Sequence, residues 1–436
     1  MAMTRRQSRD MHLVATLRGI SFFGDLVAII ALMVRVAKDG GDNASLVVAA
    51  LIIANSIPPL VLSPIAGTIV DSVRTKSLLI PILLAQGVVA VGLGYWTNPY
   101  VTIVLVALLG CGVAFTQPGY NALLPHLVGM ENLARAQGTV QAYFGVATIA
   151  GPAVGGLLVG AFGLHVPLYV DALTFVACGV GTMFIAGDRV PTPSSDEGDK
   201  SLSAGFRHLY HDGVLRPVTI SAIVFLFAFG LVSVTEVFLV TRSMRASATA
   251  YGLLVGTFGI GTVVGALWAG RRESQPLSQV RVFLIGLAML GAGFVAVGLS
   301  ATVWIAIAPM VFAGLGEGIL NTSVIVLFSL RTRDEIRGRV FAAINAIIIF
   351  CQNISYLIGG LLLTITTPRV VFVSGGAAAF AAIVILGPGT VNAARRGLDD
   401  PRANSASFST TFHRTRRSRD RAGGLRASAR TRSASR

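Results

Sequence analysis

A chain of 436 residues that is 53% hydrophobic and only 13% charged, with a mean hydropathy of +0.73, lies outside the range of soluble globular proteins. Its net charge of +15 at pH 7 invites a nucleic-acid reading. The excess base, however, collects in a Ser/Ala/Arg tail from Arg395 to Arg436, which reads as a disordered, solvated segment attracted to anionic lipid.

A basic segment, residues 1–12, carries Arg5, Arg6 and Arg9. Apolar runs long enough to cross a bilayer then predict helical spans at Leu13–Val34, Leu46–Val70, Leu78–Tyr95, Val101–Leu124, Val140–Phe162 and Val166–Ala186. The first run has no small-residue cleavage site after it, so it reads as a retained span. Residues 187–217, with Pro191, Pro193 and the charged run Asp196–Lys200, read as a polar linker. Six further spans follow at Val218–Val240, Ala250–Ala269, Val282–Leu299, Val303–Leu330, Val340–Ile365 and Val370–Leu386, before the tail at 391–436. The expected fold is an all-α membrane protein of twelve transmembrane helices in two six-helix bundles, residues 13–186 and 218–390. Short loops on one side hold most of the bases, among them Arg74, Lys76, Arg135, Arg189, Arg216, Arg271 and Arg331, whereas the other side holds only Arg35, Lys38, Arg242, Arg245 and Arg369. The termini and the linker are therefore expected in the cytoplasm.

Cys111, Cys178 and Cys351 lie inside apolar runs with neither metal-ligand nor disulfide spacing, and read as small core residues. The six histidines fall at span ends, in loops or in the tails, and no glycine loop ends in Lys-Ser or Lys-Thr. An enzyme, a metal or other cofactor, and an ATP-driven pump are not expected. Of the 20 acids only Asp25, Glu236 and Glu317 fall well within predicted spans, where burying each costs several kcal/mol unless it is solvated, paired or protonated. Polar stripes at helical spacing accompany them: Gln117 with Asn121 in span four, Glu317 with Asn321 in span ten, and Asn345, Gln352 and Tyr356 in span eleven. Arg18, two turns below Asp25, either acts on that acid or snorkels to the interface, and snorkelling is the favoured reading. In span five, Pro152 removes a backbone hydrogen bond and is expected to kink the helix, and Gly151, Gly155 and Gly156 permit close helix approach, so these four residues read as a hinge. A matching surface is expected from Gly252, Gly256, Gly259 and Gly261 of span eight, with Gly265 one turn on.

The stretch Gly67-Thr-Ile-Val-Asp71-Ser-Val-Arg74-Thr-Lys76 between spans two and three resembles the loop motif of the major facilitator superfamily. The resemblance widens with "RGISFFGDLVAIIALMV", "NSIPPLVLSPIAGTIVD", "QPGYNALLPHLV", "GPAVGGLL", "VDALTF" and "RGRVFAAINAI", and covers nearly the whole chain. It is strongest towards bacterial exporters that include macrolide efflux permeases and the enterobactin exporter. The resemblance implies alternating access, with spans one, four, seven and ten lining a central cavity that holds Asp25, Glu236 and Glu317. It implies a cytoplasmic gate of Gly67, Asp71, Arg74 and Lys76 facing Arg337 and Arg339 at the start of span eleven. Ser72 and Thr75 stand where the family usually has arginines, and span four lacks the arginine motif of many proton-coupled members. The expected activity is proton-coupled efflux of a bulky, lipophilic, neutral or cationic compound by a monomer in a bacterial inner membrane. An exporter of siderophores, an importer of a small nutrient and a non-transporting receptor are the alternatives. Phe22, Phe115, Tyr143, Phe144 and Tyr356 are the aromatic candidates for the cavity wall.

Overall fold

A computed structural model describes residues 3–39, 41–189, 202–272, 275–332 and 334–399. Among these the chain is helical with short connections and no strand. The first six helices are α1 (Arg5–Asp39), α2 (Ala44–Ser72), α3 (Thr75–Tyr95), α4 (Pro99–Val128), α5 (Leu133–Phe162) and α6 (His165–Met183). A short helix α7 (Leu202–His211) follows, then α8 (Leu215–Phe238), α9 (Ala248–Gly270), α10 (Pro276–Leu299), α11 (Val303–Arg331), α12 (Asp334–Ile365) and α13 (Pro368–Asp399). All but α7 are long and apolar enough to cross a membrane, which gives the expected twelve spans. Local chemistry starts several of them: the Asn98 side chain accepts from the Tyr100 and Val101 amides at 2.9 and 3.4 Å with Pro99 next in line, and Ser247 caps α9 through Ala250 at 3.2 Å.

Packing repeats between the two halves. In the first, α1 lies on α5 and α6, α2 on α4, and α3 on α4 and α6; in the second, α8 lies on α12 and α13, α9 on α11, and α10 on α11 and α13. Each helix thus has a counterpart seven places on, the signature of two pseudo-symmetric bundles. The halves meet at two equivalent seams, α5 against α9 and α2 against α12.

The first seam shows why its glycines are there. A Cβ on Gly252 would run into the Pro152 carbonyl and lie 2.7 Å from Gly156 Cα, so neither position has room for a side chain. Gly256 and Gly259 likewise abut the carbonyls of Ile149 and Thr148, whereas Gly261 and Gly265 face α11 within their own half. Of the three span-five glycines singled out, Gly151 and Gly155 pack on α1 and Gly156 reaches across, as does Gly160 towards Thr249; α5 runs as one helix through Pro152. Hydrogen bonds cross the halves from Ser45 Oγ to the Gly360 carbonyl (2.9 Å), between Ser56 and Asn353 (2.6 Å), from Thr249 to the Gly156 carbonyl (3.1 Å) and from Arg242 to the Ala37 carbonyl (3.3 Å). Those at Arg242, Ser45 and Thr249 sit on helix ends remote from the chain termini. The halves are therefore fastened at the end away from the termini.

Three helix limits differ from expectation. The basic amino-terminal segment is already helical from Arg5, anchored by Asp10, whose carboxylate accepts the Ala186 and Gly187 amides at 3.1 and 3.3 Å where α6 has ended. The linker contains α7, which packs on α12 and is followed by Asp212, bound by Arg331 at 3.0 Å. The last helix continues past Leu386 to Asp399, because Ala393, Ala394, Arg395 and Arg396 are strong helix formers. The tail beyond residue 399 lies outside the described residues.

Candidate functional site

Each half contains a cavity. The one in the first half has a volume of about 410 Å³ and is lined by α1 and α4, the helices that carry Asp25 and Gln117, among others. Its lining extends to Gln86 of α3 and to Asp171 and Phe175 of α6. Phe22 and Phe144, with ring centroids 4.9 Å apart, form part of its aromatic lining. Asp171 was not among the expected intramembrane acids, yet it is only 1% exposed and lies within electrostatic reach of Asp25. Two features hold it there. Thr174 Oγ1 donates to the Asp171 carbonyl at 2.7 Å, and Gly24 leaves room on α1, since a Cβ there would lie 2.6 Å from Asp171 Oδ1.

Arg18 lines the same cavity and does not snorkel. Its Nη1 donates to Asn121 Oδ1 at 3.0 Å, and its guanidinium lies 5.2 Å from the Phe144 ring centre and 5.9 Å from that of Tyr120. An amide acceptor and two aromatic faces satisfy the cation inside the bundle, so it has no need to reach the interface. Arg35, expected in a loop, is 4% exposed and donates to the Leu93 carbonyl at 2.9 Å and to Thr102 Oγ1 at 3.1 Å. The cavity half thus carries two inward bases that hydropathy had placed at its edges.

The second cavity, about 210 Å³, brings together Glu317 and Asn321 of α11 with Gln352 of α12 and Phe229 of α8. Glu317 accepts from Thr262, and its other oxygen has no partner. Asn345 and Tyr356 share α12 with Gln352 but lie outside this lining, Asn345 exposed and Tyr356 packed against the core. Glu236 is apart from both cavities: it is buried in α8 beside Tyr251, with Oε1 unpartnered. Phe115 is half-buried and Tyr143 exposed, and neither lines a cavity wall. Asp25 and Glu317 accordingly line two cavities, one in each half. They stand on α1 and α11, two of the four helices that the resemblance assigned to the cavity.

At the end bearing the termini, the charged loop after α2 is tied to its own half. Asp71 Oδ1 accepts from Arg189 at 2.8 Å while Arg189 also donates to the Val70 carbonyl at 3.0 Å. Lys76 Nζ donates to the Met183 and Ile185 carbonyls at 3.2 and 2.7 Å. Arg74 is exposed at the start of α3, and Gly67 has open space where a Cβ would project. The side chains of Arg337 and Arg339 lie outside the described residues. Because the Asp71 carboxylate is 57% exposed, its ion pair is worth only about 0–1 kcal/mol. Asp71→Asn should therefore shift the thermal unfolding midpoint little, by no more than that ~1 kcal/mol allows, in a scan of the purified protein. A drop equivalent to several kcal/mol would show that the pair holds the fold together.

The description "Major Facilitator Superfamily" matches residues 14–245 and 218–420 of the chain. An uncharacterized MFS-type transporter of Bacillus subtilis, YfiS, is 23% identical over 366 residues, covering 82% of this chain and 87% of YfiS. Macrolide efflux protein A of Streptococcus pyogenes is 22% identical over 318 residues, covering 70% and 78%. Among solved structures, a bacterial homologue of the human lysosomal transporter Spinster, in an inward-facing and unoccupied conformation, superposes with a TM-score of 0.66 at 13% identity, covering 92% of this chain and 100% of that one. With the twelve spans, the duplicated bundle and the family match along nearly its whole length, this chain belongs to the major facilitator superfamily and is a multi-pass membrane transporter, not an enzyme.

Proposed function

We propose that the chain is a proton-coupled exporter of bulky lipophilic cations or neutral compounds, working as a monomer in a bacterial inner membrane. The observation that carries this reading is the placement of acids in the largely apolar linings of both chambers, Asp25 and Asp171 in the first and Glu317 in the second. A carboxylate there is costly to leave uncompensated, so a proton and a cationic substrate compete for it. The similarity to macrolide efflux protein A supports outward movement of a large apolar molecule.

The excess of basic loops at the end with the termini orients that end to the cytosol. The halves are fastened at the other end, which supports reading this conformation as the one open to the cytosol. In this reading Asp71 meets the start of α12 only when the cytosolic end closes, where a helix N-terminus favours a carboxylate by roughly 0.3–1 kcal/mol. The Arg189 pair is its resting place in the open state. The basic tail holds anionic lipid.

Cells lacking or overproducing the protein, challenged with antibiotics, dyes and siderophores, test the substrate class. Overproduction should lower intracellular accumulation of large lipophilic amines. Tolerance confined to anionic siderophores, or raised uptake of a small polar nutrient, would overturn it.

A further inference from the structure

The wall of the first-half chamber on α3 and α6 is rich in acceptors, with Thr174 Oγ1, 3.4 Å from Asp171 Oδ1, a neutral donor to one of them. Asp25 and Asp171 bring two carboxylates within electrostatic reach of each other, and neither has an ion-pair partner among the described residues. Arg18 does not neutralise them: it stands two turns away, about 10 Å along α1, with its guanidinium committed to Asn121 and the Phe144 face. Cys178, also nearby, donates to the Leu17 carbonyl. Beside the acids, Gln86 is 3% exposed and lines the chamber. Its Nε2 donates to the Leu109 carbonyl at 3.1 Å, which fixes the amide orientation and leaves Oε1 buried with no hydrogen-bond partner. A buried carbonyl oxygen left without a donor is costly, and two unpaired carboxylates in one apolar chamber call for a positive charge.

One ligand chemistry answers both demands. We propose that this wall is the head-group subsite of the transported substrate, and that Gln86 with Asp171 makes it selective for protonated amines carrying an N–H over quaternary ammonium ions. Charge alone satisfies the carboxylates. Of these two kinds of cation, only the one with an N–H can donate to Gln86 Oε1. The remainder of the chamber suits the rest of such a molecule, because about 410 Å³ falls within the size of small-molecule pockets and aromatic rings such as Phe22, Phe144 and Phe175 line it. Asp25 and Asp171 both line the chamber and would hold the charged end, leaving the apolar lining for the body of the molecule.

This inference rests on the export reading but is tested without transport. A chain that binds amines and moves nothing would fail that reading and leave this one standing. The probes are the secondary amine N-hexyl-1-naphthylmethylamine, at a pH where it is protonated, and its N,N-dimethyl quaternary analogue, each titrated by naphthyl fluorescence onto the purified full-length protein in detergent. The wild type should bind the amine about tenfold more tightly than the quaternary ion. Gln86→Leu should bring that ratio to about one, and Asp171→Asn should weaken both probes about tenfold. Equal affinity for the two probes in the wild type, an unchanged ratio in Gln86→Leu, or unchanged affinity in a monodisperse Asp171→Asn would each overturn the proposal. Should Asp171→Asn fail to fold, the wild-type ratio alone decides.

Discussion

Asp25→Asn is expected to abolish uphill, pH-driven substrate movement, lowering it at least tenfold, while downhill exchange of substrate across the same membrane survives. Asparagine keeps the size and polarity of the side chain that α1 presents to the first chamber, so the shape of that chamber is retained. In the proposed mechanism it removes the group that exchanges a proton, and with it the link between the gradient and the substrate. Glu317→Gln makes the corresponding change in the second chamber, where one carboxylate oxygen is held by Thr262 and the other is unpartnered. A tenfold loss corresponds to about 1.4 kcal/mol of coupling. The measurement is counterflow in proteoliposomes with and without an imposed pH gradient. Full gradient-driven activity in both variants would remove the acids from the coupling mechanism.

Gly252→Val is expected to be the most damaging single change at the seam between the halves. The obstacle to a side chain there is backbone on both sides, the Pro152 carbonyl and Gly156 Cα, and neither can swing aside as a flexible side chain would. Overpacking of this kind costs about 1–3 kcal/mol, and a two-state equilibrium moves about 5–150-fold for that energy. The contact lies at the end remote from the termini, where this structure fastens the halves, so under alternating access the substitution is expected to penalise this state more than the fold. Spin-label distances across that end should lengthen, and transport should fall at least tenfold. Gly261→Val provides the contrast. Gly261 abuts the Val311 carbonyl of α11 inside its own half, so the same change there should lower the unfolding midpoint without separating the halves. An unchanged distance distribution in Gly252→Val would show that the seam adjusts by other means.

All twelve spans were legible from the sequence because the bilayer imposes its own rule: backbone polar groups must be satisfied within the segment, and crossing takes about 20 apolar residues. Helices outside that constraint were not. The short α7 sits in a polar linker where no hydropathy signal exists, and its place is fixed by packing on α12 and by Asp212 with Arg331. Which way a residue faces was legible only in part. The period of 3.6 residues puts Gly252, Gly256 and Gly259 on one face of α9 and turns Gly261 and Gly265 towards α11, a division that a count of glycines does not make. Asp171 escaped notice because it lies near the start of α6. Its importance comes from Gly24, a residue on another helix, which lets the carboxylate approach α1. Glu236 shows the converse: its depth in α8 was evident, but its direction is into the core, away from both chambers. Arg18 and Arg35 read as interface anchors by position, yet carbonyls, hydroxyls and aromatic rings of neighbouring helices hold them inside.

The central claim, that this transporter drives a lipophilic cation outward in exchange for protons, is tested most directly by solute flux in proteoliposomes holding the purified wild-type protein. With the cytosolic face of the protein on the outer surface and the lumen acidic relative to the outside, a lipophilic amine added outside should accumulate inside against its gradient, with a matching loss of luminal protons. Accumulation should collapse when a protonophore dissipates the pH difference. Flux that ignores the pH gradient, or no flux above that of empty liposomes across the amine panel, would contradict the account.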